Sequence, residues 1–174
     1  RSRHPVEGEY FTIKVNNRKI FCKGANWVPP DLIYSRVSNA RIDSLLNLAV
    51  ESNFNMLRIW GGGDYMSEYF MNQCDSLGIM IWHDFIFACS KYPGDDLEYV
   101  NEVKKEITFI VRRMANHPSL VLWCGNNEVE TGWWNWGYQT WGKQWTDAGL
   151  FHHIIPTILN EQDPDSSDDE RFLS

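Results

Sequence analysis

Leu120-Val121-Leu122-Trp123-Cys124-Gly125-Asn126-Asn127-Glu128 is an apolar run that stops abruptly on a glycine, two amides and a carboxylate. A short apolar run bounded by turn residues reads as a strand buried on both faces, the kind that parallel sheets use. The same pattern stands three times upstream. Lys19-Ile20-Phe21-Cys22 leads into a strand ending at Gly24-Ala25-Asn26-Trp27, Phe54 to Trp60 carries Arg58 and Trp60 at its end, and Ile79 to Phe85 carries Trp82 and Asp84. Between and after these runs, apolar residues recur at helical spacing. Ile42, Leu45, Leu46 and Ala49 form one stripe, and Met66, Phe70, Cys74 and Leu77 a second that Gly78 stops. Val100, Val103, Ile107, Ile110 and Met114 form a third, after the turn and helix start at Pro93-Gly94-Asp95-Asp96. Leu150, Ile154, Ile155, Ile158 and Leu159 form a fourth, beyond a Trp-rich loop. Four repeats of strand then helix predict an α/β fold, a parallel sheet covered by helices. Periodicity alone does not separate half of a closed barrel from a small doubly wound sheet. Polar and aromatic residues at every strand's C-terminal end favour the eight-fold barrel, because an open sheet gathers such residues at one switch point.

At the edges of this pattern, Phe11 to Val15 and Lys19 to Cys22 flank Asn16-Asn17 and predict a short β-hairpin. Residues 1–10 read as a linker from a preceding domain, and 161–174, with Asp163-Pro164-Asp165-Ser166-Ser167-Asp168-Asp169-Glu170, as an acidic frayed tail.

Composition limits the function classes. The 174 residues are 43% hydrophobic and 14% aromatic, material for one domain core, and nine are Trp, several beside Gly, Asn or Asp, where rings often lie under sugars, although large cores bury Trp too. A net charge of −7 with no Lys/Arg-rich run argues against nucleic acid and anionic membrane as partners and suits a neutral substrate. No apolar run approaches the roughly 20 residues of a membrane helix, and Arg1-Ser2-Arg3-His4-Pro5 does not read as a signal peptide, so the compartment is undetermined. Cys22, Cys74, Cys89 and Cys124 form no C-x-x-C pair and read as buried free thiols. His83 and the pair His152-His153 read as structural, since no second ligand set completes a metal site. No metal and no cofactor are expected.

The chemistry concentrates at the strand ends. Glu128, just past a buried strand and beside Trp rings and amides, has the partly desolvated setting in which a carboxylic acid keeps a proton to donate; the alternative is a helix cap or an Arg partner. Asn127 would donate to a sugar hydroxyl, or else be a turn residue. Trp82 and Asp84 share one face of their strand and His83 the other, so Trp82 and Asp84 are pocket candidates. Asp84 either binds a hydroxyl pair or pairs with Arg58. Arg58 itself reads as a bridge between strand ends or a substrate contact, and Gly61-Gly62-Gly63 lets the backbone pass close to a ligand or neighbouring loop. A phosphate loop is excluded there by the glycine spacing and the missing Lys. Trp133-Trp134-Asn135-Trp136, with Trp141 and Trp145, could wall a pocket or pack on a neighbouring domain.

These residues closely resemble the β-mannosidases of glycoside hydrolase family two. The matching stretches are Phe21 to Pro29, Arg58 to Gly63, Cys74 to Ile79, Trp82 to Phe85 and Trp123 to Glu128. The resemblance implies the N-terminal half of a TIM (β/α)8 barrel, strands one to four with their helices, so that 1–174 would be a partial catalytic domain. It implies hydrolysis of terminal β-linked mannose with retention, Glu128 as acid/base and Asn127 as the contact to the 2-hydroxyl. Trp82, Asp84, Trp60, Arg58 and Trp123 complete the expected substrate-binding set. The expected partners are a β-mannoside or manno-oligosaccharide and the rest of the parent chain, the other barrel half and β-sandwich domains; a periplasmic or lysosomal location would fit. The family's nucleophile, a Glu ending strand seven, is expected beyond this chain. An exo-β-glucosaminidase or other family-two β-glycosidase, or a non-catalytic sugar-binding module, remain alternatives. Two departures stand out: His83 replaces a usual Gln, and Asp64-Tyr65-Met66-Ser67 replaces a commoner Ile-Tyr-Glu.

Overall fold

The computed structural model describes residues 2–3, 9–141, 145–163 and 172–173. Ser2–Arg3 (β1) pairs antiparallel with Glu9–Tyr10 (β2), and Ile13–Val15 (β3) with Arg18–Ile20 (β4). The turn of the second hairpin places Asn16 and Asn17 at φ 50° and 63°, a left-handed pair that Asn tolerates better than most residues. Of the expected linker, residues 1 and 4–8 lie outside the described residues.

The main sheet follows. Gly24–Trp27 (β5), Met56–Ile59 (β6), Met80–Asp84 (β7) and Leu120–Cys124 (β8) lie side by side in chain order, each parallel to the next. Parallel strands in unbroken sequential order form an arc of a (β/α)8 barrel, whereas a doubly wound sheet reverses its order at a switch point. Phe172–Leu173 (β9) adds a fifth parallel strand against β8, pairing through Trp123 and Cys124. The expected tail therefore resolves differently at its two ends: Glu161 and Gln162 still belong to a helix, and the last described pair joins the sheet, while 164–171 lie outside the described residues.

The helices that connect β5 to β6, β6 to β7 and β7 to β8 each begin where the sequence offers a cap. The Ser38 hydroxyl accepts from the Arg41 N–H at the start of Asn39–Glu51 (α1), Ser67 from Phe70 at the start of Glu68–Leu77 (α2), and Asp96 from Glu98 and Tyr99 at the start of Leu97–Met114 (α3). Gly78 closes α2 at φ 69°, which a residue with a Cβ would resist. The segment after β8, read from sequence as a loop, is instead a short helix, Val129–Asn135 (α4), with a tight turn at Tyr138–Trp141. Its seven residues are too few for a visible period, and Gly132 lets it close against the Tyr138 ring. Ile155–Gln162 (α5) is entered through one wide turn, Leu150–Ile154, in which the Ile155 N–H reaches back to the Leu150 carbonyl. Pro156 has no N–H for the carbonyl one turn back and its ring crowds that group, so the backbone opens locally.

The helices cover one face of the sheet. Leu46, Phe70, Met71, Cys74, Ile107, Val111, Met114 and Ile155 pack there against Ile59, Ile81 and Trp123, all essentially inaccessible. Burying each large side chain of this kind contributes roughly 1.5–3 kcal/mol before entropy is counted, so this layer holds the arc rigid. His83 sits in it too. Its Nδ1–H donates to the Asp84 carbonyl at 2.7 Å, Nε2 accepts from the Met66 N–H at 3.4 Å, and Tyr65 stacks on the ring. Burial drives its pKa down to about 4, so the ring is neutral, as a side chain turned from the pocket should be.

Candidate active site

Strand register decides which residues meet. Asn26, Arg58 and Trp82 stand in one row across β5, β6 and β7, and Asp84 follows Trp82 on the same face. Arg58 occupies the centre of the resulting cluster. Its Nε donates to Asp84 Oδ1 at 3.1 Å, its Nη2 to Asp84 Oδ2 at 2.7 Å and to Asn127 Oδ1 at 2.9 Å, and its guanidinium lies 5.3 Å over the Trp82 ring. Asp84 is inaccessible to solvent, and its oxygens also accept from the Trp82 indole N–H at 2.9 Å and the Gly61 N–H at 3.0 Å. Burial raises the Asp84 carboxyl above the ordinary range, against the pull of Arg58, Gly61 and Trp82. With both oxygens engaged, Asp84 serves to fix Arg58 and Trp82, and the first of the two sequence expectations for it, a sugar hydroxyl pair, has no free acceptor to use.

The Arg58 bond orients the Asn127 amide. Because Oδ1 faces the guanidinium, Nδ2 faces Glu128, whose Oε2 it meets at 3.3 Å. Glu128 itself takes a left-handed backbone, φ 59° and ψ 19°, immediately before α4. That conformation is uncommon for a residue with a long side chain and occurs where surroundings impose it. It turns the carboxylate out of the β8 line at the C-terminal end of the sheet. Glu128 is exposed, so the desolvation expected from its Trp neighbours is not supplied by the described residues.

The remaining candidates divide. Trp82, half-buried, belongs to the Arg58 cluster. Trp60 lies past β6 with its ring against Gly62, lining a cavity of about 160 Å³ with Trp27, Pro29, Tyr34 and Tyr65. Trp123 is not brought to the site: it pairs with His83 in register, on the helix-covered face, and stacks on Phe85 at 4.9 Å with 2° between the rings. The triple glycine passes close to a neighbouring loop, since a Cβ on Gly61 would come within 2.9 Å of the Phe85 and Phe87 carbonyl oxygens. Trp133 is buried against Trp145, while Trp134 and Trp136 are exposed, and the side chain of Trp141 lies outside the described residues. His152 stands beside Glu130 and Trp145; among the described residues no three His, Cys, Asp or Glu converge as a metal site.

Cys89 was missed. All four cysteines are free, and Cys74 and Cys124 are buried as expected, but Cys22 is half-buried and Cys89 exposed, its Sγ 3.5 Å from Glu128 Oε2 and 3.3 Å from Asn127 Nδ2. Its place just beyond the end of the third barrel strand was the available signal, because such ends carry barrel chemistry.

A sequential parallel arc with a carboxylate, an amide and a buried Arg–Asp pair at its C-terminal end has the architecture of a barrel glycosidase. Residues 9–154 match the family described as Glycosyl hydrolases family 2, TIM barrel domain, and the chain belongs to that family. It is 44% identical over 163 residues to a beta-mannosidase of Bos taurus and 46% identical over 163 residues to one of Capra hircus, in each case 90% of this chain and 18% of the relative. Its structure is similar to that of beta-D-mannosidase from Dictyoglomus thermophilum, with a TM-score of 0.86 at 40% identity over 99% of this chain and 20% of that one. Bacteroides uniformis beta-glucuronidase 3 shares the fold, with a TM-score of 0.69 at 20% identity over 90% of this chain and 18% of that one. The chain thus spans about a fifth of the length of the relatives it matches.

Proposed function

We propose that this chain supplies the acid/base half of the active site of a retaining β-mannosidase, which removes terminal non-reducing β-D-mannose residues from mannosides or manno-oligosaccharides. The observation that carries this reading is the Glu128 carboxylate held beside Asn127, whose amide is oriented by the Arg58–Asp84 pair. Identity of 44–46% to beta-mannosidases over 90% of the chain supports the choice of mannose.

Glu128 protonates the glycosidic oxygen as a second carboxylate, from elsewhere in the full-length protein, attacks the anomeric carbon. The ionised Glu128 then takes a proton from a water that attacks the anomeric carbon, the bond to the second carboxylate breaks, and mannose leaves with its configuration retained. Asn127 is the contact for the sugar 2-hydroxyl, to which Nδ2 turns the N–H that otherwise meets Cys89 Sγ at 3.3 Å, and hydrogen bonds there strengthen in the transition state. Trp82 supplies an apolar wall beside them. Neither step calls for a cofactor.

The test is Glu128→Ala in the full-length protein. Hydrolysis of mannosides with poor leaving groups should collapse, while dinitrophenyl β-mannoside, which leaves with little protonation, should show a burst as the covalent intermediate accumulates. Azide should restore turnover and give β-mannosyl azide, because a small anion needs no general base. Equal losses on both substrates, without burst or azide effect in a folded variant, would remove the role from Glu128.

A further inference from the structure

Cys89 lies in the loop after β7 with φ 47°, so the two residues whose side chains meet here, Cys89 and Glu128, both hold left-handed backbones without being glycine. Such a conformation persists only where surrounding contacts over-determine it. They do so around Cys89. Its N–H donates to the Asn127 carbonyl at 2.9 Å, its own carbonyl accepts from the Tyr138 hydroxyl at 2.6 Å, and the Tyr92 hydroxyl accepts from the preceding Ala88 N–H at 2.7 Å. The Asn127 N–H in turn donates to the Phe87 carbonyl at 2.8 Å, so the loop and the segment bearing Glu128 are tied by paired backbone bonds.

The thiol is thereby aimed at the carboxylate. We infer that Cys89 is a positioning residue for Glu128: its S–H donates to Oε2, and together with the Asn127 amide it keeps that oxygen an acceptor, so that Oε1 carries the proton delivered to the leaving group. The inference rests on the acid/base reading of Glu128. Although Cys89 is exposed, the desolvation its loop gives the sulfur pushes the thiol up, as does the neighbouring Glu128, against the Asn127 amide, and the sulfur therefore stays protonated as a donor. In the first step the Oε1 proton passes to the glycosidic oxygen, leaving a carboxylate still held through Oε2. In the second, Oε1 takes a proton from the attacking water, and the S–H never leaves the sulfur.

The experiment uses the full-length protein with Cys89→Ala, Cys89→Ser and Cys89→Gly, and Glu128→Gln as reference. Glycine accepts the left-handed backbone without strain, so it reports loss of the thiol even where alanine impairs folding. Substrates are methyl β-mannoside, a poor leaving group, and 2,4-dinitrophenyl β-mannoside, a good one. Loss of the thiol in the Ala and Gly variants should lower kcat/KM about tenfold for the poor leaving group and less than about twofold for the good one, and Ser should recover most of the loss through its hydroxyl. A purely structural cysteine would depress both substrates alike and gain nothing from Ser; that result overturns the inference. If Glu128→Gln itself shows no leaving-group dependence, the acid/base reading and the cysteine role fall together. If Glu128→Gln shows it and the Cys89 variants do not, only the cysteine role falls.

Discussion

Replacing Arg58 by Met tests whether the cluster stands on one guanidinium. Three hydrogen bonds disappear, those to Asp84 Oδ1, Asp84 Oδ2 and Asn127 Oδ1. Asp84 is left wholly inaccessible with only the Gly61 and Trp82 N–H groups as partners, while Arg58 had 26% of its side chain in contact with solvent. Stranding one member of a buried ion pair costs about 3–5 kcal/mol, and the partial exposure of Arg58 places this case near the lower figure. At a urea dependence of about 1–3 kcal/mol per M, the unfolding midpoint should fall by about 1 M or more, read by tryptophan fluorescence. Asp84→Asn removes the stranded charge, so the Arg58→Met/Asp84→Asn double variant should be more stable than the two single losses add to, with a coupling of at least about 2 kcal/mol. Activity should not return with stability, because the Asn127 amide remains without its anchor. A midpoint shift worth less than about 1 kcal/mol, or a double variant whose losses simply add, would refute the cluster as described.

Two further outcomes follow from packing and burial. Folded His83 binds its proton only below about pH 4, against about 6.5 in the unfolded chain, so acid favours unfolding: stability should fall by up to about 3 kcal/mol between pH 6.5 and 4. His83→Gln should flatten that slope in pH-dependent urea titrations, and an unchanged slope would mean that His83 is not the titrating group. Gly61→Ala forces a Cβ to 2.9 Å from two carbonyl oxygens and should cost about 1–3 kcal/mol, seen as a lower Tm, whereas Gly149→Ala meets nothing within 4 Å and should leave Tm unchanged.

The fold was legible because its signals are local. Ser67 and Gly78 bracket α2, Asp96 starts α3, and the apolar strands lie between turn residues, each of which is a statement about neighbours in sequence. The facing of side chains was legible only for β7, where His83 and Asp84 alternate between the two layers. In β8 every residue is apolar, so nothing in Leu120 to Cys124 tells which face looks inward, and Trp123 was placed in the pocket although its register partner is the buried His83. The α4 helix lies below the length at which periodicity shows, and the two residues of β9 carry no pattern at all. Beyond its place after the third barrel strand, nothing in the sequence marks Cys89: its aim comes from a positive φ, and sequence points to positive φ mainly through glycine and asparagine.

These particulars explain how an exposed carboxylate can still be well positioned. Glu128 receives little from burial, so its placement has to come through bonds, and those bonds form one chain: Gly61 N–H to Asp84, Asp84 to Arg58, Arg58 to Asn127, and Asn127 to Glu128. The links come from the loop after β6, from β7, from β6 and from the segment after β8. Arg58 and Asp84 are fixed by sheet register, Gly61 and Asn127 hang on them through hydrogen bonds, and the most exposed link is the last, at Glu128. A chain of this kind converts the rigidity of three parallel strands into the orientation of a single amide. Arg58, a residue expected from sequence either to bridge strand ends or to touch substrate, does bridge them, joining Asp84 of β7 to Asn127 after β8. The left-handed turn at Glu128 is the step that departs from the strand direction, and the Cys89 loop, tied to Asn127 from the β7 side, closes that step against movement.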